Sequence, residues 1–229
     1  MLASGNVLLT KNCFAHVENL FVRANLRMAL GLNRVLQIDK HENVEMLKVS
    51  TSEGFTITAS KDQLILVQYK DSLIWTPLSE IRHGYWLVLD HLSKFRNDFN
   101  YELRDYLRPK FLTGQVVIKD DYIHYRLNTD EPERDQLRLI AYGMMSEIHK
   151  GQLYLNWTYI RQAFQFFDID TQPLNKFHKY SKYYKLPAYG SITEHRALVT
   201  NIEEVGLDVG YELSCRRPHI NCNGFIVHH

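Results

Sequence analysis

The chain has 229 residues, 45% of them hydrophobic and 23% charged, with a formal net charge of +1. That length supports one or two domains with a real core. The near-zero charge excludes a global field that would steer the chain toward nucleic acid or membrane. No apolar run approaches the roughly 20 residues of a membrane-spanning helix. Polar and charged residues arrive by Asn6 and Lys11, so no signal-peptide pattern is present. Cys13, Cys215 and Cys222 are spaced for neither a zinc site nor a disulfide framework. They read as intracellular thiols, and the chain as cytoplasmic.

Residues 1–92 read as short strands and turns. Val7 to Leu9, Val35 to Ile38, Met46 to Ser50, Phe55 to Thr58 and Leu64 to Val67 are β-rich runs, punctuated by Gly5, Gly31, Gly54 and Asp62. Between them, Val17, Leu20, Phe21 and Ala24 fall at helical spacing and predict a short helix within 14–30. Trp75 and Pro77 open a further unit that ends in Leu87, Val88 and Leu89.

The character changes near residue 93. Val116 to Ile118 and Tyr122 to Tyr125 predict a strand pair around Lys119, Asp120 and Asp121. Leu137, Ile140, Ala141, Met144 and Ile148 predict an amphipathic helix, although Gly143 within it costs about 1 kcal/mol against alanine. Ile160, Ala163, Phe164 and Phe167 predict a second helix. From Ala197 the β character returns, with strand-like runs over 198–202, 210–215 and 224–227. One β domain, 1–92 with 197–229, interrupted by an α+β insert over 93–196, is the expected organisation.

The C-terminal stretch from Tyr211 carries the strongest pattern. Tyr211-Glu212-Leu213, then His219, then Asn223-Gly224, then Val227-His228 resemble the C-terminal blocks of inteins, the protein-splicing domains of Hint fold. Leu2-Ala3-Ser4-Gly5 is similar to their first block, and the stretch from Gly54 through Ser60 and Gln63 to Val67 to their second. Trp75 to Leu87 resembles the continuation of that block, and the four stretches come in the family's order. The resemblance implies an all-β Hint horseshoe carrying an α+β insertion, and self-excision with ligation of the flanking segments, the exteins. No cofactor is expected, the partners are the exteins, and the chain is expected to act as a monomer without a membrane.

Splicing chemistry explains the residue types. An acyl shift needs Cys or Ser at residue 1. A second-block histidine, helped by a threonine, activates the scissile amide, and C-terminal histidines move protons while a terminal asparagine cyclises. This sequence departs at several of these places. Met1 has no nucleophilic proton to lose. Ser60 stands for the threonine, and Gln63 for the histidine; glutamine can hydrogen-bond the amide but cannot act as an acid near neutrality. Glu212 stands for an aspartate, and His229 for the cyclising asparagine. His219 and His228 are retained. A start codon in place of the nucleophile accounts for Met1, and a substitution or tag residue for His229; Gln63 is either a native variant or a mark of unusual chemistry. An internal-thiol route would use Cys215, whose simpler reading is a strand core residue.

The insert offers a second resemblance. Ile140 to Ile148 is similar to the LAGLIDADG helix of homing endonucleases, with Glu147 as its metal-binding acid; only one such motif is present, which implies a degenerate remnant. Lys176, Lys179, Lys182 and Lys185 alternate with aromatic residues and read equally as a weak DNA-binding stretch or a solvated loop. The rival functions are a hedgehog-like autoprocessing domain that only cleaves, and a homing endonuclease or DNA-binding protein.

Overall fold

A computed structural model describes residues 1–10, 14–28, 31–90, 101–119, 122–183 and 195–228. The chain forms two compact units, Met1–His91 with His195–His229, and Leu92–Glu194. The first is built of strands and short 3-10 turns, and the second is α+β.

The strands ahead of the insert are β1 (Leu2–Ala3), β2 (Val7–Leu9), β3 (Phe14–His16), β4 (Asn25–Met28), β5 (Gly31–Thr51), β6 (Thr56–Ser60), β7 (Leu64–Tyr69), β8 (Ser72–Pro77) and β9 (Trp86–Val88). The insert holds α1 (Tyr101–Leu112), β10 (Gln115–Lys119), β11 (Tyr122–Leu127), α2 (Pro132–Ala141), β12 (Ser146–His149), β13 (Gln152–Asn156) and α3 (Trp157–Phe166). The chain returns as β14 (Arg196–Cys215), β15 (His219–Cys222) and β16 (Phe225–His228).

Among the described residues the first unit's strands run β3-β2-β15-β16-β7-β9-β14-β1-β6-β5-β4, with β8 on β7 and β14 also on β5. The strand at each end of the chain is therefore interior to the sheet. Alternation explains the packing: Ile57 and Ala59 on β6, and Ile65 and Val67 on β7, are buried at every second position. β5 and β14 pair from Val35 to Thr51 with four register shifts. Such irregularities strengthen local twist. The runs read as separate strands over 35–38 and 46–50, and over 198–202 and 210–215, are continuous, because the polar residues between them lie on a ribbon wetted on both faces.

One expected helix is overturned and a second is cut short. Within 14–30 the chain instead forms β3, a 3-10 turn at Val17–Asn19 and β4. Backbone pairing wins: β3 bonds to β2 and β4 to β5. Arg23 lies at φ 77, outside helical geometry, and Phe21 is 69% exposed rather than packed.

The helix expected through Ile148 ends at Ala141. Gly143, at φ 73, donates to the Ile140 carbonyl at 2.8 Å, and Met144 to that of Leu139 at 3.0 Å. This paired closure is a Schellman stop, which glycine favours because it tolerates positive φ. Residues 146–149 then run as β12 against β13. Glu147 sits on the edge strand β12, 3.4 Å from His124 Nδ1, and not at a helix end. The LAGLIDADG likeness therefore loses its geometry.

Two further expectations for elements of the insert hold. β10 and β11 pair around residues 119–122, and α3 covers the second expected helix. Leu107, Phe111, Tyr125, Leu139, Ile160 and Phe167 share the insert's apolar core.

Candidate functional site at the two ends of the chain

The C-terminal hairpin is set by its turn. Asn223 and Gly224 lie at φ 49 and φ 86. A two-residue turn of this hand matches strand twist, and Asn-Gly reaches positive φ at low cost. Cys222 then pairs with Phe225, and His219 with His228. The turn is tied to the opposite end of the chain: Asn223 Oδ1 accepts from Val7 N at 2.6 Å, and Asn223 Nδ2 donates to Asn6 Oδ1 and Thr56 O, each at 2.9 Å. Trp75 on β8 flanks both histidines, with ring centroids 5.4 Å from His228 and 6.4 Å from His219.

Residue 1 is held between two strands. Leu2 pairs with Ala59 on β6 and with Tyr211 on β14. This places the Met1 nitrogen where it donates to Ser60 Oγ at 2.8 Å and Gln63 Oε1 at 3.0 Å. Ser60 N returns a bond to the Met1 carbonyl at 2.9 Å. Gln63 is buried, and its Nε2 donates to Leu64 O and to His228 O. A cleft of about 180 Å³ opens here, lined among others by Met1, Asp62, Gln63, Glu212 and His228.

The electrostatics follow from burial and neighbours. Burial lowers the Met1 ammonium pKa, against the opposing pull of Asp62 and Glu212. The Ser60 hydroxyl bonds the Asp62 carboxylate and holds its pKa below the usual value. Glu212 pairs with His41 Nε2 at 3.4 Å and is largely exposed.

Met1, Gln63, Glu212 and His228 thus line one cleft, Ser60 bonds the Met1 nitrogen beside it, and His219 faces His228 across the hairpin. His229 lies outside the described residues, as do Cys13, Lys185 and the side chains of Lys179 and Lys182. Burial pushes the Cys215 thiol up to about 11 and Cys222 higher still. Both are therefore protonated near neutrality, which weighs against an internal thiolate. Among the described residues no group of three or more His, Cys, Asp or Glu is placed to hold a metal, and no helix is long and apolar enough to cross a membrane.

Sequence reasoning missed Asn6 and Asp90. Asn6 Nδ2 bridges to Ala3 O at 2.8 Å and to Thr58 O. Its only sequence signal was an ordinary polar residue after a glycine.

No family model matches the chain, and no curated protein does. Among solved structures it is similar to the gp41-1 intein, with a TM-score of 0.47 and 11% identity, covering 100% of this chain and 97% of that one. It is similar to the MchDnaB-1 intein at 0.46 and 10%, covering 100% of both. A third is the DnaX mini intein from Spirulina platensis, at 0.45 and 10%, covering 100% and 98%. These neighbours are inteins.

Proposed function

We propose that the β unit is a protein-splicing domain of the intein type, which excises itself from a precursor and joins the flanking exteins. The observation that carries this reading is Gln63, whose one carboxamide bonds the nitrogen of residue 1 and the carbonyl of residue 228. Splicing needs both junctions at one site, and a single buried side chain spans them here.

With a segment ahead of residue 1, the Met1 nitrogen is the scissile amide nitrogen. As an amide it carries one N–H, which Ser60 Oγ and Gln63 Oε1 are both placed to accept, and that fixed orientation supplies part of the barrier lowering. Glutamine has no proton to donate near neutrality. Met1 offers no thiol or hydroxyl to receive the acyl group. The N-terminal junction of this sequence is therefore inert.

At the other end, His219 and His228 supply proton transfer to the final peptide bond. His229 lacks the side-chain amide that closes a succinimide. Single-turnover rearrangement needs no cofactor and only the exteins as partners, and one chain supplies both junctions. The insert is a passenger in this reaction, and its side chains carry no step of it.

The test is a repaired chain, Met1→Cys with His229→Asn, between two reporter domains with cysteine following. Ligated reporters are expected. His228→Ala or His219→Ala in that background should slow C-terminal cleavage by about 10²- to 10⁴-fold. No ligation and no cleavage at either junction in a folded repaired chain would overturn the reading.

A further inference from the structure

The geometry points to Asp90 as a positioning residue for the C-terminal step, an inference that rests on the splicing reading. Asp90 follows β9 and is only 3% exposed. Its backbone nitrogen donates to Gly224 O at 2.8 Å, and its Oδ2 accepts from Asn221 Nδ2 at 3.3 Å. Asn221, itself buried, turns its Oδ1 toward Gly224 N at 3.1 Å. Leu89 also bridges to Phe225. Asp90 thus grips the Asn223-Gly224 turn at two points, once through its own backbone and once through Asn221.

The carboxylate matters because it only accepts. An amide facing it must present its NH₂ group, which leaves the Asn221 oxygen directed at the Gly224 nitrogen. One buried acid therefore fixes which way Asn221 points, and Asn221 fixes the turn. Strand alternation puts Asn221, His219 and, across the hairpin, His228 on one face. A turn that slackens shifts the two histidines relative to the bond they serve. A buried carboxylate without a donor is costly, and the Asn221 amide supplies one of its bonds.

The experiment compares Asp90→Asn, Asp90→Leu and Asp90→Ala in the repaired chain. Leucine keeps the branched shape and removes the acceptor, whereas asparagine keeps an acceptor. Expected are C-terminal cleavage slowed about 10- to 100-fold in the leucine and alanine variants, and a rate within about 3-fold of the parent for asparagine, since it still accepts a bond. Thiol-triggered cleavage at residue 1 should stay within about 3-fold in all three, because the groups holding that nitrogen are untouched. Unchanged C-terminal rates with leucine, or equal slowing at both junctions, would overturn the assignment. Amide exchange at Gly224 is read in parallel on the chain with His229 as it stands: protection should fall with leucine and persist with asparagine. A folded parent that cleaves at neither junction sinks the splicing reading alone, and the Gly224 protection pattern then decides whether Asp90 holds the turn.

Discussion

The carboxamide nitrogen of Gln63 donates to the carbonyl oxygen of His228, while the oxygen of the same group accepts from the nitrogen of Met1. One buried side chain therefore clamps both ends of the chain. In the repaired chain, Gln63→His should raise thiol-triggered cleavage at residue 1 by about 100-fold or more, because a proton donor is restored. Gln63→Ala should lower it. Equal rates for all three side chains would remove Gln63 from the site.

Acidity should report the buried amine. In a chain beginning at Met1, burial lowers the ammonium pKa from its ordinary value near about 8. The unfolded chain then binds that proton more tightly than the folded one. Stability should rise with pH from the lowered value to about 8 and level off above it. Urea midpoints between roughly pH 6 and 9, with and without N-terminal acetylation, check this across the titration of the amine. An identical slope in the acetylated protein would contradict it. Asp62 has the opposite sign: its depressed pKa gives stability that is present above the unfolded value of about 3.9 and lost as pH falls through the folded value.

Asn223 does two things, and two substitutions separate them. Asn223→Gly keeps positive φ but loses the bonds to Val7, Asn6 and Thr56. It should cost roughly 1–3 kcal/mol, since partners are left without their bonds. Asn223→Ala adds the cost of placing alanine at positive φ, about 1 kcal/mol further. Denaturant titration measures both. Equal stability of the two variants would show that the turn, rather than its hydrogen bonds, is indifferent to φ.

The insert contains its own polar keystone. Asp135 is fully buried and takes Lys110 Nζ at 2.6 Å, Arg138 at 2.5 Å and Thr129 Oγ1 at 2.5 Å. Lys110→Met removes one partner and leaves the acid undercompensated. Asp135→Ala leaves two cations facing each other. Each should destabilise the insert by roughly 3–5 kcal/mol, the range for broken buried pairs, seen as early loss of helical signal on heating. A loss under about 1 kcal/mol would place the cluster with surface pairs.

What could be read locally was read well. Asn223-Gly224 announced its hairpin, and 116–118 with 122–125 announced theirs, because turn chemistry and alternation act over a few residues. The ribbon of β5 and β14 was broken into pieces because its middle is exposed on both faces and lacks a buried alternating stripe. The helix expected through Ile148 failed at Gly143, where a favourable stop outweighed continuing periodicity. Ser60 and Gln63 were found as counterparts of the second-block pair and do meet at residue 1. Asn6 and Asp90 were not found, since each acquires meaning only from a partner far along the chain: Asn223 lies 217 positions from Asn6, and Asn221 lies 131 from Asp90.

The interruption of the β unit also sets the order in which the chain can assemble. β5 and β14 must find each other across separations such as the 150 positions between Ser50 and Thr200. Pairings this remote are slow, because chain freedom is lost before contacts reward it. The β10–β11 and β12–β13 hairpins close within a few residues, on a timescale of about 1–10 microseconds. Once the insert is compact it shortens the effective loop, and Leu89 N and His195 O need only a short search to reach their 2.8 Å bond. Removing the insert shortens the same loop by a different route, and each halving of loop length saves only about 0.6 kcal/mol. Refolding rates with and without the insert should therefore lie close together, as expected of a segment that delivers β14 to β5 already half retrieved.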